Sequence, residues 1–217
     1  MLPIHKKVYL SMLVTLFGMS SLFASDLTVS VVDAYQQPVQ NAVIELYNEN
    51  YLNNDKTNTS AAQYEVAQRM RQFTPFVLVV PVGSSVTFPN YDKTRHHVYS
   101  FSPVKTFELK LFSGQSHEPV VFDEPGVVAL GCNIHDAMQS HIYVTNSRYY
   151  GVTDANGEVN FTELPDDAFD LKTWHPLQED ALQATEITFN KSVKTIDIVL
   201  PIIETFDEDE SESEYSY

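Results

Sequence analysis

The sequence predicts an all-β protein carrying one short helix. Three observations lead there. Between Phe73 and Thr145, short β-rich pieces follow one another, each bounded by Pro, Gly, Asn or Asp. The stretches on either side alternate apolar and polar residues with the two-residue period of a strand. Only one segment, AAQYEVAQRMRQF, combines good helix formers with an absence of Gly and Pro.

Taken in order, residues 1–24 set Lys6 and Lys7 ahead of an apolar run (VYLSMLVTLFGMSSLF) and the small pair Ala24–Ser25. That is the order of a cleaved secretory signal, which places the protein in the periplasm. An uncleaved anchor is the other reading, with the run near the ~17-residue lower limit for a span. Nothing later in the chain is apolar for long enough to cross a bilayer as a helix, so no stable membrane span is expected after signal removal. Leu27, Val29 and Val31 mark a first strand, a polar turn follows around Gln36–Pro38, and Ala42, Ile44 and Leu46 mark a second. A polar, Asn-rich loop leads to the helix predicted as a linker over 61–72. From 73 to 147 the pieces FVLVVPVG, SVTFPN, HHVYSFS, FELKLFS, PVVFDEPG, VVALGC and HIYVT read as seven strands, spaced as in a sandwich or barrel. A turn at Asp154–Gly157 then separates two more strands within YGVTDANGEVNFTELP. AFDLKTWHP and ATEITFNKSVKTIDIVLP supply the last ones. Residues 203–217, mostly ETFDEDESESEYSY, are predicted to be an acidic disordered tail.

Charge narrows the partners. The 217 residues include 13 Lys and Arg against 29 Asp and Glu, a formal charge of −16. Removing the signal takes Lys6 and Lys7, leaving 11 basic against 29 acidic residues, or −18. Such a surface excludes nucleic acid and anionic membrane as partners and favours a protein with a neutral or basic docking face.

The chain has one cysteine, Cys132. In an oxidising compartment cysteines ordinarily pair, so an unpaired one is a free thiol, an intermolecular bridge or a metal ligand. The stretch GCNIHDAM places His135 and Met138 at successive three-residue steps beyond it. Thiolate, imidazole and thioether form a soft donor set that suits copper. Two histidines, a cysteine and a long axial methionine define a one-ion site for Cu(I)/Cu(II) electron transfer. Structural zinc sites close with Cys and His and seldom with Met. The missing histidine must come from NYDKTRHHVYSFS, as His96 or His97. These point to opposite faces of a strand, and periodicity does not say which face is inward. His117, His141 and His175 are expected to be structural or solvent residues, Trp174 to pack in a core, and Met70 to be a core residue. Phe76, Phe88, Phe112 and Phe122 are candidates for an apolar rim around the site. No nucleophile–base set is present, and four protein ligands leave no open position for a substrate, so the protein is not expected to be an enzyme.

The Cys-x-x-His-x-x-Met loop, set after a Gly-bounded strand and before HIYV, resembles the cupredoxins, with ligand spacing similar to the amicyanin group. SVTFPNYDKTRHHVYSF resembles the segment that carries the family's first histidine ligand, usually His-Asn-Val. Laid on His96-His97-Val98, it makes His96 the ligand, with Cys132, His135 and Met138. The resemblance implies a Greek-key sandwich and blue-copper electron transfer to redox protein partners. This chain departs from the pattern at His97, where the usual Asn helps tie the two ligand loops together; Asn90 and Asn133 are candidates to replace it. It departs again at Asp136-Ala137, where amicyanins often have Pro-Phe. The phrases FPN, RHHVYSFS and LGCNIHD are also similar to a bacterial group labelled methylamine utilisation proteins, a label that does not establish a role in that process.

The flanks LTVSVVDAYQQPVQNAVIELYN and VTDANGEVNFTELP resemble a second family, the carboxypeptidase regulatory-like or transthyretin-like sandwich. The implied organisation is a discontinuous sandwich of 25–60 and 148–202 with the copper domain, 73–147, inserted in it. One undivided β protein is the alternative. An exported one-electron carrier is the function expected. A copper-delivery module without electron traffic is the alternative, and a structural β protein with a vestigial site is a third reading.

Overall fold

The computed structural model describes residues 25–52, 64–114, 118–178, 184–185 and 192–202. The predicted signal, the predicted tail and His117 lie outside these residues. The described chain is almost wholly β. Its strands are β1 (Ser25–Val32), β2 (Val43–Tyr47), β3 (Tyr64–Glu65), β4 (Ala67–Arg69), β5 (Gln72–Thr74), β6 (Val77–Pro81), β7 (Ser84–Thr87), β8 (His96–Ser102) and β9 (Lys105–Phe112). They continue with β10 (Val120–Phe122), β11 (Gly126–Gly131), β12 (Gln139–Thr145), β13 (Tyr149–Val152), β14 (Glu158–Leu164), β15 (Asp170–Trp174), β16 (Ala184–Thr185) and β17 (Thr195–Val199). Each of the seven pieces read between 73 and 145 is a strand, β6 to β12.

The helix expected over 61–72 is not formed at its described positions. Residues 64–74 are instead strands β3, β4 and β5, with β4 and β5 paired as a hairpin, Arg69 opposite Gln72. At the tip Met70 and Arg71 both hold left-handed backbone, φ 51 and 59. Neither residue favours that region on its own. The Asp92 carboxylate holds the turn by accepting from the Met70 amide at 2.7 Å and the Arg71 amide at 2.9 Å. A contact twenty residues away thus overrides local helix propensity. Met70, expected in the core, is 87% exposed as a result. The helix among the described residues is a single 3-10 turn, Glu49–Tyr51, capped by the Asn48 side chain accepting from the Asn50 amide.

Two pairs of sheets enclose two apolar cores. A five-stranded sheet, β6-β12-β11-β8-β9, faces the three-stranded sheet β10-β7-β3. Val80, Phe88, Val98, Phe122, Val128, Ile142 and Val144 fill the space between. Fully burying one such side chain contributes about 1.5–3 kcal/mol. The sheets β13-β2-β15-β16 and β14-β1-β17 enclose a second core of Leu27, Val29, Val31, Ile44, Leu46, Phe161 and Leu171. Its strands come from both ends of the described chain, since β1 pairs antiparallel with β14 and parallel with β17.

The alternate faces of β2, β6, β12 and β15 meet one another. Val43, Val77, Val79, Tyr143 and Trp174 form a third cluster that joins the two pairs of sheets. Within it the buried carboxylate of Glu45 accepts from the Tyr143 hydroxyl at 3.0 Å and from Lys172 at 3.5 Å. Burial first, and then the Glu45 charge, push the Tyr143 hydroxyl far above the ordinary tyrosine pKa. Trp174 packs in this cluster as the sequence suggests. The central segment enters and leaves at one point: Leu52 bridges Ser147, the Arg148 amide donates to the Tyr51 carbonyl, and the Ser147 hydroxyl donates to the Leu46 carbonyl at 2.6 Å.

Candidate metal centre

Strand β8 decides between the two adjacent histidines. Its burial alternates, with His96, Val98 and Ser100 inward and His97, Tyr99 and Phe101 outward. His96 is fully buried, whereas His97 lies on the outer face with Nε2 3.0 Å from Glu108. Beside β8 runs β11, with Gly131 opposite Tyr99. That register brings Cys132, the next residue, alongside the buried end of β8. The Tyr99 ring reaches Gly131, where a Cβ would stand 2.8 Å from its Cζ and hydroxyl oxygen. A side chain there would displace the far end of that ring, so glycine lets Tyr99 lie where it does.

Residues 132–138 connect β11 to β12, which pair antiparallel with Gly131 opposite Gln139. The connection is two successive turns. The second is closed by the Met138 amide donating to the His135 carbonyl at 3.0 Å, and it turns His135 back over the sheet end. Cys132 and Met138 are buried, His135 is half-buried, and Asn133, Ile134, Asp136 and Ala137 are exposed.

One candidate ligand atom from each of His96, Cys132 and His135 lies within 4.8 Å of the others. The two imidazoles stand with ring centroids 5.0 Å apart. Nδ1 of His96 and Nδ1 of His135 are both buried without a hydrogen-bond partner. Nδ1 of His97 and of His141 are unpaired too, but only His96 and His135 group with the thiol, and two such nitrogens beside a thiol are what a metal ion would satisfy. Met138 is fully buried in the same cluster as Cys132. A thiolate, two imidazoles and a thioether packed in the same cluster as the thiol are a soft donor set that would suit copper.

Sequence reasoning missed Asp92. Its carboxylate lies 2.8 Å from Nε2 of His96 while also accepting from the Met70 and Arg71 amides. Burial works to raise the Asp92 pKa. The Arg71 amide, His96 and the Met70 amide outweigh it and hold the carboxyl below the ordinary range. An ionised Asp92 accepts a hydrogen bond from Nε2–H, which favours the tautomer that leaves the Nδ1 lone pair free for an ion. The signal available was an Asp four residues before a candidate ligand.

Asn90 does not join the two ligand loops. Its amide donates to the Thr94 carbonyl at 2.9 Å and the Phe112 carbonyl at 2.8 Å, and its Oδ1 accepts from the Asp92 amide. It thereby shapes the loop that presents Asp92 and His96. The expected phenylalanine rim is also redistributed. Phe88 and Phe122 are deep in the core, and Phe76 packs edge-on against His141. The exposed apolar residues near the ligand segments are Met70, Tyr91, Leu111 and Ile134.

Comparison with solved structures finds cupredoxins. The copper-containing nitrite reductase from Thermus scotoductus SA-01 is 26% identical over 38% of this chain and 22% of its own, TM-score 0.36. The purple cupredoxin from Nitrosopumilus maritimus is 23% identical over 39% of this chain and 100% of its own, TM-score 0.35. Amicyanin from Paracoccus versutus is 15% identical over 47% of this chain and 97% of its own, TM-score 0.36. This chain thus spans under a quarter of the nitrite reductase's length. All three likenesses cover less than half of this chain, and its chemistry has to be read from its own residues. No protein-family model matches the chain, and no curated protein matches it.

Proposed function

We propose that the protein is an exported, non-enzymatic, one-electron carrier whose copper ion is held by His96, Cys132, His135 and Met138. The observation that carries this reading is the convergence of a buried thiol with two buried, unpartnered imidazole nitrogens. Copper supplies the Cu(I)/Cu(II) couple, which this soft donor set accommodates in both states. The chain's own contribution is positioning. Asp92 orients His96, the 135–138 turn orients His135, and the apolar core around Cys132 and Met138 keeps water from the thiolate. His135 is the half-buried member of the set and the point through which a redox partner makes electronic contact. Residues 73–147 act as a copper module inserted into a scaffold formed by the flanks, in the periplasm.

Copper-loaded full-length protein should absorb near roughly 600 nm through its thiolate–metal bond, and Cys132→Ser should abolish the band. A loaded wild-type protein without that band would sink the proposal. The exposed turns around His135 favour a second reading, copper delivery without electron traffic. Slow electron self-exchange together with ready release of copper to a chelator would select delivery.

A further inference from the structure

The acidic character of the whole chain is reversed beside His96. Of the 13 Lys and Arg residues, four lie in two short stretches: Arg69 and Arg71 at the β4–β5 tip, Lys93 and Arg95 in the loop before β8. These stretches are neighbours in space. Gln68 and Asn90 form a bridge, Asp92 binds both amides of the hairpin tip, and the Arg69 guanidinium sits 3.8 Å above the Tyr91 ring. All four cations are exposed. None takes part in the ion pairs found among the described residues, which are His96–Asp92, His97–Glu108, Lys105–Asp123 and Lys172–Glu45.

Asp92 and Glu65 offset part of this charge, and four cations against these two acids leave a local positive excess. The Asp92 side chain is 18% exposed, and its oxygens are taken by His96 and the two amides. Glu65 accepts from the Tyr91 hydroxyl. Glu108 pairs with His97 on the outer face of the sheet, and Asp136 stands in the other ligand loop. Among the cations stand two exposed apolar side chains, Met70 at 87% and Tyr91 at 53%. Unpaired cations around an apolar centre make a surface that anionic groups can rim.

We propose that this face, formed by the β4–β5 tip and residues 91–95, is the docking site for an acidic redox protein. The inference rests on the carrier reading for its purpose and on local charge for its chemistry. It replaces the neutral or basic docking face that net charge alone suggests. A partner of negative charge is repelled by the rest of this molecule and attracted here, so the field orients the encounter toward His96.

The test uses poly-L-glutamate and the metal-free full-length chain, followed by amide NMR. Shifts should concentrate at residues 69–71 and 91–97, and affinity should fall about tenfold between 20 and 150 mM salt. The exposed-site triple variant Arg71→Glu/Lys93→Glu/Arg95→Glu should lose the interaction while its remaining amide spectrum is unchanged. The single variant Lys93→Glu should weaken it part-way. Shifts scattered over other faces, or undiminished binding in the triple variant, overturn the proposal. Binding that appears only after Asp207, Glu208, Asp209 and Glu210 are changed to Asn or Gln would assign the face to the chain's own acidic end. Retention on phosphatidylglycerol vesicles, abolished in the triple variant, would assign it to a membrane. Either result overturns a protein partner.

In the copper-loaded protein, hexacyanoferrate(II) gives up one electron, becoming iron(III) as Cu(II) becomes Cu(I). Its rate should fall with added salt in the wild type and rise with salt in the triple variant. A protein that shows no 600 nm band but binds poly-L-glutamate at this face fails the carrier reading alone. One that shows the band but lacks the binding fails only the docking assignment.

Discussion

Replacing Asp92 by Ala removes the two carboxylate oxygens that serve three donors in different environments. Nε2 of His96 is fully buried at 2.8 Å, so its charge-assisted bond is worth about 1.5–3 kcal/mol and water cannot replace it. The Met70 and Arg71 amides belong to exposed residues that water can reach, so each loses about 0.5–1 kcal/mol. The expected loss of stability is therefore about 2.5–5 kcal/mol in metal-free protein, measured by urea unfolding at pH 7. Asp92→Asn should cost less, because one oxygen remains to accept. It should still release His96 from a single tautomer, and nitrogen-15 shifts of the imidazole would report that directly. With the Nδ1 lone pair no longer guaranteed, Cu(I) affinity measured by chelator competition should fall 10- to 100-fold, as is typical when such a supporting partner is lost. A destabilisation below about 1 kcal/mol in the Ala variant, with Cu(I) affinity unchanged in both, would refute the role assigned to Asp92.

Three further predictions follow from the same contacts. Tyr143→Phe leaves an oxygen of the buried Glu45 carboxylate without its 3.0 Å donor and should cost about 1–3 kcal/mol in urea unfolding; a neutral effect would mean that water or Lys172 takes over. His141 has its pKa lowered to about 4, by burial first and by His175 second. The unfolded chain takes up that proton near pH 6.5 and the native state does not, so stability should fall as pH drops from about 6.5 toward 4. Discounted for the ring's partial exposure, the loss is about 1–2 kcal/mol, and His141→Phe should flatten the profile in that window. His175, whose pKa burial also lowers against the opposing Gln40 carbonyl bond, would leave a smaller residual slope. Gly131→Ala should cost about 1 kcal/mol or less by displacing the tip of the Tyr99 ring, and adding Tyr99→Val should restore most of it; additive effects would show that the close approach is not the cause.

The strands between 73 and 145 were legible because each is short, apolar and closed by a residue that breaks pairing, so local chemistry sets the boundaries. The same logic failed over 61–72. There Asp92, distant in sequence, holds Met70 and Arg71 in left-handed backbone that neither residue prefers. At the site, spacing alone singled out Cys132, His135 and Met138, since all three belong to one loop. The choice of His96 over His97 depended on which face of β8 turns inward, and packing of Val98 and Ser100 against the core settles that. Asp92 stayed hidden because a carboxylate in a polar, charged loop looks like any solvated acid. Only its contact with a buried imidazole distinguishes it.

The knot of hydrogen bonds joining Tyr51 and Leu52 to Ser147 and Arg148 has a consequence for how this chain tolerates change. To the flanking sheets, the described strands between Tyr64 and Thr145 form a long excursion, and the residues on either side of it are fastened together. The entropy of closing an excursion grows only with the logarithm of its length, about 0.6 kcal/mol for each doubling. Beyond the fastening itself, the flanks meet the central segment through the Val43, Val77, Val79, Tyr143 and Trp174 cluster and the Tyr143–Glu45 bond. Lengthening a loop of the central segment away from that cluster should disturb them far less than cutting the Ser147 hydroxyl from the Leu46 carbonyl, a change of one atom at the fastening.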